Sequence, residues 1–167
     1  LFEAAGTGEP VTYAGRLFRV QELALGPRPV RPIPLWVGAI RPRALRLTGM
    51  LADGLTISTP YVPPERLPEV NRLVDEGARA AGRDPQSIRR LYNLLGVLDV
   101  PGARPLRVNR PGFLSGPAEA WVEAIVRFAE LGMDTFVFWP VAGDYVAQAQ
   151  HFVEVVVPEV QRQLGRA

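Results

Sequence analysis

Hydrophobic residues along the chain form short apolar runs separated by longer segments with helical periodicity. We interpret four of these runs as buried strands, at residues 35–37, 55–58, 91–100 and 135–139. Each run has the length of a strand and is bounded by Gly, Pro or polar residues. Strands that are apolar nearly throughout are typical of a parallel sheet with both faces covered. The pattern therefore predicts an α/β fold in which helical crossovers join parallel strands.

The segments between and after these strands show the spacing of amphipathic helices. The clearest apolar face consists of Leu67, Val70, Leu73, Val74, Ala78 and Ala81. Gly82 follows this face, and glycine is common just after a helix because it adopts left-handed backbone angles easily. A last helix, from Asp144 to Leu164, is expected to break or kink at Pro158, which lacks the N–H that a helix interior requires.

Another helix is expected to begin within the segment Ser115-Gly116-Pro117-Ala118-Glu119, with Ser115 as its cap and Pro117 in its first turn. Its predicted buried stripe comprises Val122, Ile125, Val126 and Ala129, and Gly132 is expected to close it. Near the start of the chain, residues 11–20 alternate like a β-hairpin with Gly15 in the turn. The Pro-rich residues 25–34 then form a stiff, extended connector to the first buried strand.

The turn after the first buried strand has the strongest candidate chemistry. Gly38 ends the apolar run, and Pro42 stands at or near the first helical position between Arg41 and Arg43. The first N–H groups of a helix are unpaired and attract anions. Gly38 has no side chain to keep a ligand away, and the arginines add positive charge. The residues alone leave two interpretations open, a phosphate site or an ordinary tight turn.

Composition narrows the class of protein. The chain has 167 residues, 47% hydrophobic and 22% charged, as in an ordinary globular domain. All of its basic residues are Arg and are scattered among acids, so the net charge of +2 does not indicate nucleic-acid binding. The absence of Cys excludes disulfides, and a single His151 cannot build a multi-histidine metal site.

Targeting signals and the first residues add two expectations. No apolar run has the length of a membrane span and no signal peptide opens the chain, so we expect a cytoplasmic protein without a membrane partner. The first residues, Leu1 to Ala5, look like the end of a helix. We therefore expect the chain to begin inside a larger unit.

Five stretches, in consistent order and spacing, resemble the C-terminal half of the luciferase-like monooxygenases, a group of flavin- or deazaflavin-dependent (β/α)8 barrels. The most specific stretch is Pro34-Leu35-Trp36-Val37-Gly38 followed by Ala52-Asp53-Gly54. The others are the hairpin and connector from Tyr13 to Pro34, Ala80-Ala81-Gly82-Arg83-Asp84-Pro85, Ser115-Gly116-Pro117-Ala118-Glu119 with Leu131-Gly132-Met133-Asp134, and residues 152–160 around Pro158. Together they cover nearly all of the chain.

The resemblance implies a TIM-barrel type of fold of which this chain holds only the C-terminal half, with about four parallel strands and their helices. Residues 1–167 would then form a single partial domain. Residues 1–34 would be the hairpin and lead-in, 35–141 the β/α units, and 142–167 the C-terminal helix. A complete barrel needs eight strands and about 250 residues. In the family most proposed catalytic side chains come from the first half, so no catalytic residue is assigned here.

The resemblance also implies a luciferase-like oxidoreductase or monooxygenase that acts on a small organic substrate, with FMN or the deazaflavin coenzyme F420 as cofactor. Gly38, Ala39, Ile40 and Arg41 correspond to the turn that holds the cofactor phosphate in the family, and Arg43 adds charge beside it. Many relatives have a second Gly and then Ser or Thr where this chain has Ala39 and Ile40. Hydroxyl contacts to the phosphate are therefore lost here, and backbone N–H groups and arginines remain.

Two strand ends are candidates for the substrate pocket. Ser58 and Trp139 each end a predicted strand, and in such barrels the carboxyl ends of the strands face the active site. A loop on that same face, at residues 101–113, contains Arg104, Arg107 and Arg110. These arginines would either bind an acidic substrate or remain solvated.

A half-barrel would leave two open sheet edges and an uncovered apolar inner face. We therefore expect either a homodimer or completion by an N-terminal half-barrel, and we expect the isolated chain to be inactive. A second interpretation is a non-catalytic half-barrel that serves as an assembly partner or is a remnant. A third is an open flavodoxin-like sheet that binds a mononucleotide, in which the first strand lies inside the sheet and not at its edge.

Overall fold

The computed structural model describes residues 7–24, 26–27 and 29–165, in two compact units, Leu1–Leu35 and Trp36–Ala167. The predicted helix end at Leu1 to Ala5 lies outside the described residues. In the first unit, strands β1 (Val11–Ala14) and β2 (Arg19–Leu23) pair antiparallel. The Gly15 N–H donates to the Phe18 carbonyl at 2.9 Å and closes the turn. The predicted hairpin is confirmed, with a second strand that extends three residues further than expected.

The second unit alternates strands and helices. Its elements are β3 (Trp36–Gly38), α1 (Pro42–Leu51), β4 (Gly54–Ser58), α2 (Leu67–Ala80), β5 (Arg89–Leu98), β6 (Leu114–Gly116), α3 (Ala118–Glu130), β7 (Thr135–Pro140), α4 (Tyr145–His151) and α5 (Val157–Gln163). Single 3-10 turns, Pro64–Arg66 and Pro85–Ser87, precede α2 and β5. A π-helical turn, Phe152–Val156, separates α4 from α5.

All pairs of strands in this sheet are parallel. The order is β3-β4-β5-β6, and β7 pairs with β5 along Leu91–Gly96, while β6 pairs only with the end of β5. The four predicted strands thus lie side by side in chain order, with β3 at an edge. This order is that of a partial (β/α)8 barrel, and the flavodoxin-like alternative is wrong because it requires the first strand inside the sheet.

Helices cover one face of this sheet and form the core with it. Leu55, Ile57 and Leu94 point into this layer and are at most 3% exposed. At the C-terminal side, Phe138 stacks on Phe152 with ring centroids 4.5 Å apart, and the Trp121 ring meets both edge-on. The aromatic cluster fixes the last strand against the last helical segment.

Helix ends follow the glycine pattern. The Gly82 N–H donates to the Arg79 carbonyl and the Arg83 N–H to the Ala78 carbonyl, with Gly82 at φ +69°. This is the bonding of a Schellman cap, and Gly132 repeats it after α3 with φ +91°. The predicted helix ends at these two glycines are confirmed.

Some local predictions are wrong. Ser115 does not cap α3, because it lies in β6, where its Oγ accepts from the Val108 N–H at 3.1 Å; Pro117 holds the cap position. On α2, Ala81 lies beyond the helix and is exposed, whereas Gly77 is buried. Pairing of β6 with the end of β5 is a contact between distant residues, which local periodicity does not reveal.

The predicted break at Pro158 is confirmed by the π-helical turn that precedes it.

Candidate functional site

The face of the sheet opposite the helices is the open face. Parallel register places side chains of paired residues on the same face, and it groups Trp36 with Gly54, Ser58 with Asn93, and Leu95 with Trp139. The residues that register places on this open face include Trp36, Gly38, Gly54, Thr56, Ser58, Arg89, Leu91, Asn93, Leu95, Thr135, Val137 and Trp139. Val137 is 39% exposed and Trp139 57% exposed, although both are large apolar residues within strand β7. The predicted uncovered inner face is therefore present among the described residues.

The turn from β3 to α1 lies at the carboxyl edge of this face. Gly38 is exposed, and a Cβ built on it would meet nothing closer than the Thr56 carbonyl oxygen at 3.9 Å. Arg41 is the N-cap of α1 in extended conformation, and its carbonyl accepts the first intrahelical bond, from Leu45 N at 2.9 Å. Pro42 occupies the first turn, which contains no acidic residue. The start of α1 therefore presents N–H groups beside open space, with nothing negative in the first turn to repel an anion.

The five predicted residues of this turn have different environments. The Ala39 side chain is 5% exposed and belongs to the hydrophobic core, so only its backbone can face a ligand. The side chains of Ile40, Arg41 and Arg43 are exposed. The structure thus brings one open glycine and two exposed guanidinium groups to the same helix start.

A polar cluster lies next to this turn on the open face. The Asn93 side chain donates from Nδ2 to Thr56 Oγ1 at 3.2 Å, to the Ile57 carbonyl at 3.1 Å and to Ser58 Oγ at 3.1 Å. Thr56 is the register partner of Gly38 on the neighbouring strand. Ser58, which the sequence indicated, is therefore held by Asn93, which it did not indicate. The only signal for Asn93 is one polar residue in the middle of an otherwise apolar strand.

Trp139 and the loop arginines are less closely tied to this cluster. Trp139 lies on β7, on the other side of β5 from Ser58, and its indole is exposed on the open face.

In the loop at residues 101–113, Arg107 forms a two-pronged ion pair with Asp99, at 2.7 and 3.0 Å. This bond raises the pKa of the Arg107 guanidinium. Arg107 is thus already paired with Asp99. Arg104 and Arg110 remain as the loop arginines that would bind an acidic substrate.

The opposite edge of the sheet contains a buried ion pair. Arg90 is 6% exposed, and its Nη2 donates to Asp75 Oδ1 at 2.6 Å. Burial lowers the pKa of Arg90, and the charges of Asp75 and Asp134 oppose this shift. Conserved chemistry of barrels lies at the carboxyl edge, whereas this amino-terminal edge serves stability. Periodicity did not single out this pair, because its partners lie on different elements.

Metal-binding clusters and membrane-spanning helices are both absent from the described part of the chain. No group of three or more His, Cys, Asp or Glu side chains there is arranged to hold a metal ion. None of the helices in those residues combines the length and hydropathy needed to cross a bilayer.

Comparison with known proteins identifies the family. The model of the luciferase-like monooxygenase family matches residues 1–100, which is more than half of the chain. The chain belongs to the luciferase-like monooxygenase family. The match includes β3, the Gly38 turn, β4 and β5, so it contains the open glycine and the polar cluster.

Individual relatives agree with this assignment. The F420-dependent glucose-6-phosphate dehydrogenase of Nakamurella multipartita is 29% identical over 104 residues, covering 62% of this chain and 31% of that protein. A solved F420-dependent secondary alcohol dehydrogenase, in complex with an F420-acetone adduct, superposes with a TM-score of 0.75 at 23% identity, covering 91% of this chain and 56% of the other. A riboflavin lyase with modified FMN and riboflavin superposes with a TM-score of 0.70 at 17% identity, covering 95% and 49%.

These comparisons confirm the predicted resemblance and the barrel fold. This luciferase-like chain spans about a third of the curated relative and about half of the solved structures. Its strands therefore correspond to part of their barrels.

Proposed function

We propose that this chain is part of an F420- or FMN-dependent oxidoreductase or monooxygenase and that its β3–α1 turn binds the cofactor phosphate. The observation that supports the proposal is the exposed Gly38 beside the start of α1, where a Cβ would meet no atom closer than the Thr56 carbonyl oxygen at 3.9 Å. Arg41 and Arg43 flank this start, and its first turn has no acidic residue. Relatives and neighbours whose names state F420 or FMN support the choice of cofactor.

The residues present fit a phosphate monoester or diester. Backbone N–H groups of the first helical turn would donate to its oxygens, and the two guanidinium groups would balance its charge. The bound flavin or deazaflavin supplies the hydride or oxygen chemistry, while the protein binds and orients it. Ser58 and Trp139 lie on the open face at the same edge, where they would border the substrate.

The open face supports a second part of the proposal, that another half-barrel completes the site. Trp139 and Val137 are exposed on the open face, and a solved neighbour's chain is longer than the part that this chain covers. Turnover would then require the completed barrel, and the isolated 167 residues would bind cofactor weakly without turning it over. A non-catalytic assembly partner would share the open face but would not distinguish phosphorylated from unphosphorylated ligands.

FMN and riboflavin differ only in the phosphate, so their relative affinities test the phosphate site. We expect the purified chain to bind FMN about tenfold or more tightly than riboflavin in a fluorescence titration, since charge-assisted hydrogen bonds contribute about 1.5–3 kcal/mol. The double variant Arg41→Gln/Arg43→Gln should lose most of this preference. Arg72→Gln, on the outer surface of α2, is the matched control and should keep it. Equal affinity for the two flavins would contradict the proposal.

A further inference from the structure

A groove between two helical segments lies outside the site described above. One side of the groove is α3, and the other is the π-helical turn with α5. It has a volume of about 590 Å³. Its apolar lining includes three residues that we call the groove valines, Val122, Val126 and Val155. Val155 is 42% exposed, so this apolar lining reaches the surface of the molecule.

The polar lining of this groove is acidic. Its charged members are Glu119, Glu123, Glu130, Glu159 and Arg127. Four negative charges and one positive charge give the groove a formal charge of −3, whereas the whole chain has a formal net charge of +2. Negative charge is therefore concentrated at this groove, and it attracts cationic groups to the apolar lining.

Three of these carboxylates have no cation paired with them. We call Glu119, Glu123 and Glu130 the groove glutamates; all three are exposed, and none is in an ion pair within the part of the chain that the structure describes. Arg127 follows Glu123 by one helical turn, yet its Nη2 lies 3.4 Å from Glu65 Oε1. Glu130 is the last residue of α3, where the helix dipole disfavours negative charge. Helix stability therefore does not account for the charge of Glu130.

The spacing along α3 defines the shape of a partner. Because a helix rises about 1.5 Å per residue, Glu119 and Glu123 are about 6 Å apart along the axis and Glu123 and Glu130 about 10 Å. Val122 and Val126 lie one turn apart within this span. A second helix laid along the groove for about three turns would bring apolar side chains to the valines and basic side chains to the carboxylates.

We propose that this groove binds a basic amphipathic helix of another protein. The apolar stripe of that helix would contact the groove valines, and its Arg or Lys side chains would pair with the groove glutamates. Charge complementarity selects this partner, since an acidic helix or an anionic membrane surface would be repelled by the same carboxylates. The inference does not rest on the proposed cofactor site.

Three labelled peptides of about 14 residues, the length of nearly four helical turns, test this inference. The first has Leu at every third or fourth position and Arg on both sides of that stripe. The second has Glu in place of each Arg, and the third has the composition of the first in scrambled order. The purified chain should bind the first peptide about tenfold or more tightly than either of the others in fluorescence anisotropy at low salt, because several exposed ion pairs act together with apolar contacts.

Variants of the groove give the second part of the test. Glu123→Gln/Glu130→Gln should weaken binding of the first peptide about tenfold and remove most of its salt dependence. Val155→Ser should weaken binding about threefold without changing the salt dependence. Glu69→Gln/Glu76→Gln on α2 is the matched control, because it changes the net charge equally outside the groove, and it should leave the affinity unchanged.

Several outcomes would overturn the proposal. These are equal binding of the first and second peptides, equal binding of the first and scrambled peptides, no measurable binding, and an equal loss in the groove and control variants. A change in the oligomeric state of the Glu123→Gln/Glu130→Gln variant without peptide would also overturn it, since the groove would then join copies of this chain. All of these measurements are made without cofactor, so they are independent of the test of the phosphate turn.

Discussion

At the scale of single residues, Tyr92 shows how a polar atom is accommodated in the core. Its side chain is fully buried, its hydroxyl donates to the Val62 carbonyl, and its ring meets Phe128 edge-on at 5.1 Å. Burial raises the pKa of this phenol, with a smaller contribution from the Glu65 charge. The folded chain therefore keeps Tyr92 protonated at a pH where an exposed tyrosine ionises.

Tyr92→Phe should lower the free energy of unfolding by about 1–2 kcal/mol at pH 8, because the buried Val62 carbonyl loses its donor. The native chain gains its stability from Tyr92 in full below the unfolded pKa of about 10 and loses it as the pH rises above that value. The difference between native and variant should therefore narrow above pH 10. Urea unfolding at pH 8 and pH 10.5 measures it, and a constant difference would show that Tyr92 ionises equally in both states.

The Arg90–Asp75 pair gives a second prediction. Asp75→Asn would leave a buried guanidinium without its nearest carboxylate, which should lower the free energy of unfolding by about 3 kcal/mol. Glu76→Gln changes the next residue of α2, whose carboxylate pairs with Arg46 and Arg72 in solvent, and should cost under about 1 kcal/mol. Denaturant titration compares the two variants, and equal losses would mean that burial of Arg90 does not matter.

At the scale of elements, two glycines determine how closely α1 and α2 pack. A Cβ on Gly49 would overlap the Val74 carbonyl oxygen, and one on Gly77 would overlap the Arg46 carbonyl oxygen. Each helix backbone therefore rests directly on the other. The Arg83 side chain adds a hydrogen bond to the Gly49 carbonyl at 2.9 Å.

Gly77→Ala should destabilise the chain by about 1–3 kcal/mol or more, although alanine is the better helix former, because the two helices must move apart. Gly38→Ala is the matched control, since a Cβ there has room and its backbone angle is not left-handed. Thermal unfolding of both variants measures the effect. A Gly77→Ala variant as stable as the control would show that α1 and α2 are not in close contact.

The elements also show what local sequence patterns predict. Apolar runs located β3, β4, β5 and β7, and glycines located the ends of α2 and α3, because each signal lies within a few consecutive residues. Strand β6, the buried Arg90 and the role of Asn93 depend on partners more than fifteen residues away or on other elements. The turn at Gly38 was predictable from its own residues, whereas the polar cluster beside it required the register of two strands.

At the scale of the whole molecule, the open face carries two of the three tryptophans. Trp36 and Trp139 lie on it and are partly exposed, whereas the third tryptophan, Trp121, lies on the buried face of α3 and is 1% exposed. The Trp36 ring packs over Gly54, whereas the Trp139 side chain is 57% exposed. Tryptophan fluorescence therefore reports mainly on coverage of this face.

Addition of a separately produced half-barrel with the other four strands should shift this fluorescence to shorter wavelength and bring about turnover of reduced cofactor. Val137→Arg, on the open face, should prevent both effects by placing an unpaired charge in the new interface. Val153→Arg, on the helical surface and 63% exposed, is the control and should prevent neither. A concentration-dependent shift without the added half would indicate a homodimer. Turnover by the chain alone, or normal assembly of Val137→Arg, would mean that the open face is not where the barrel closes.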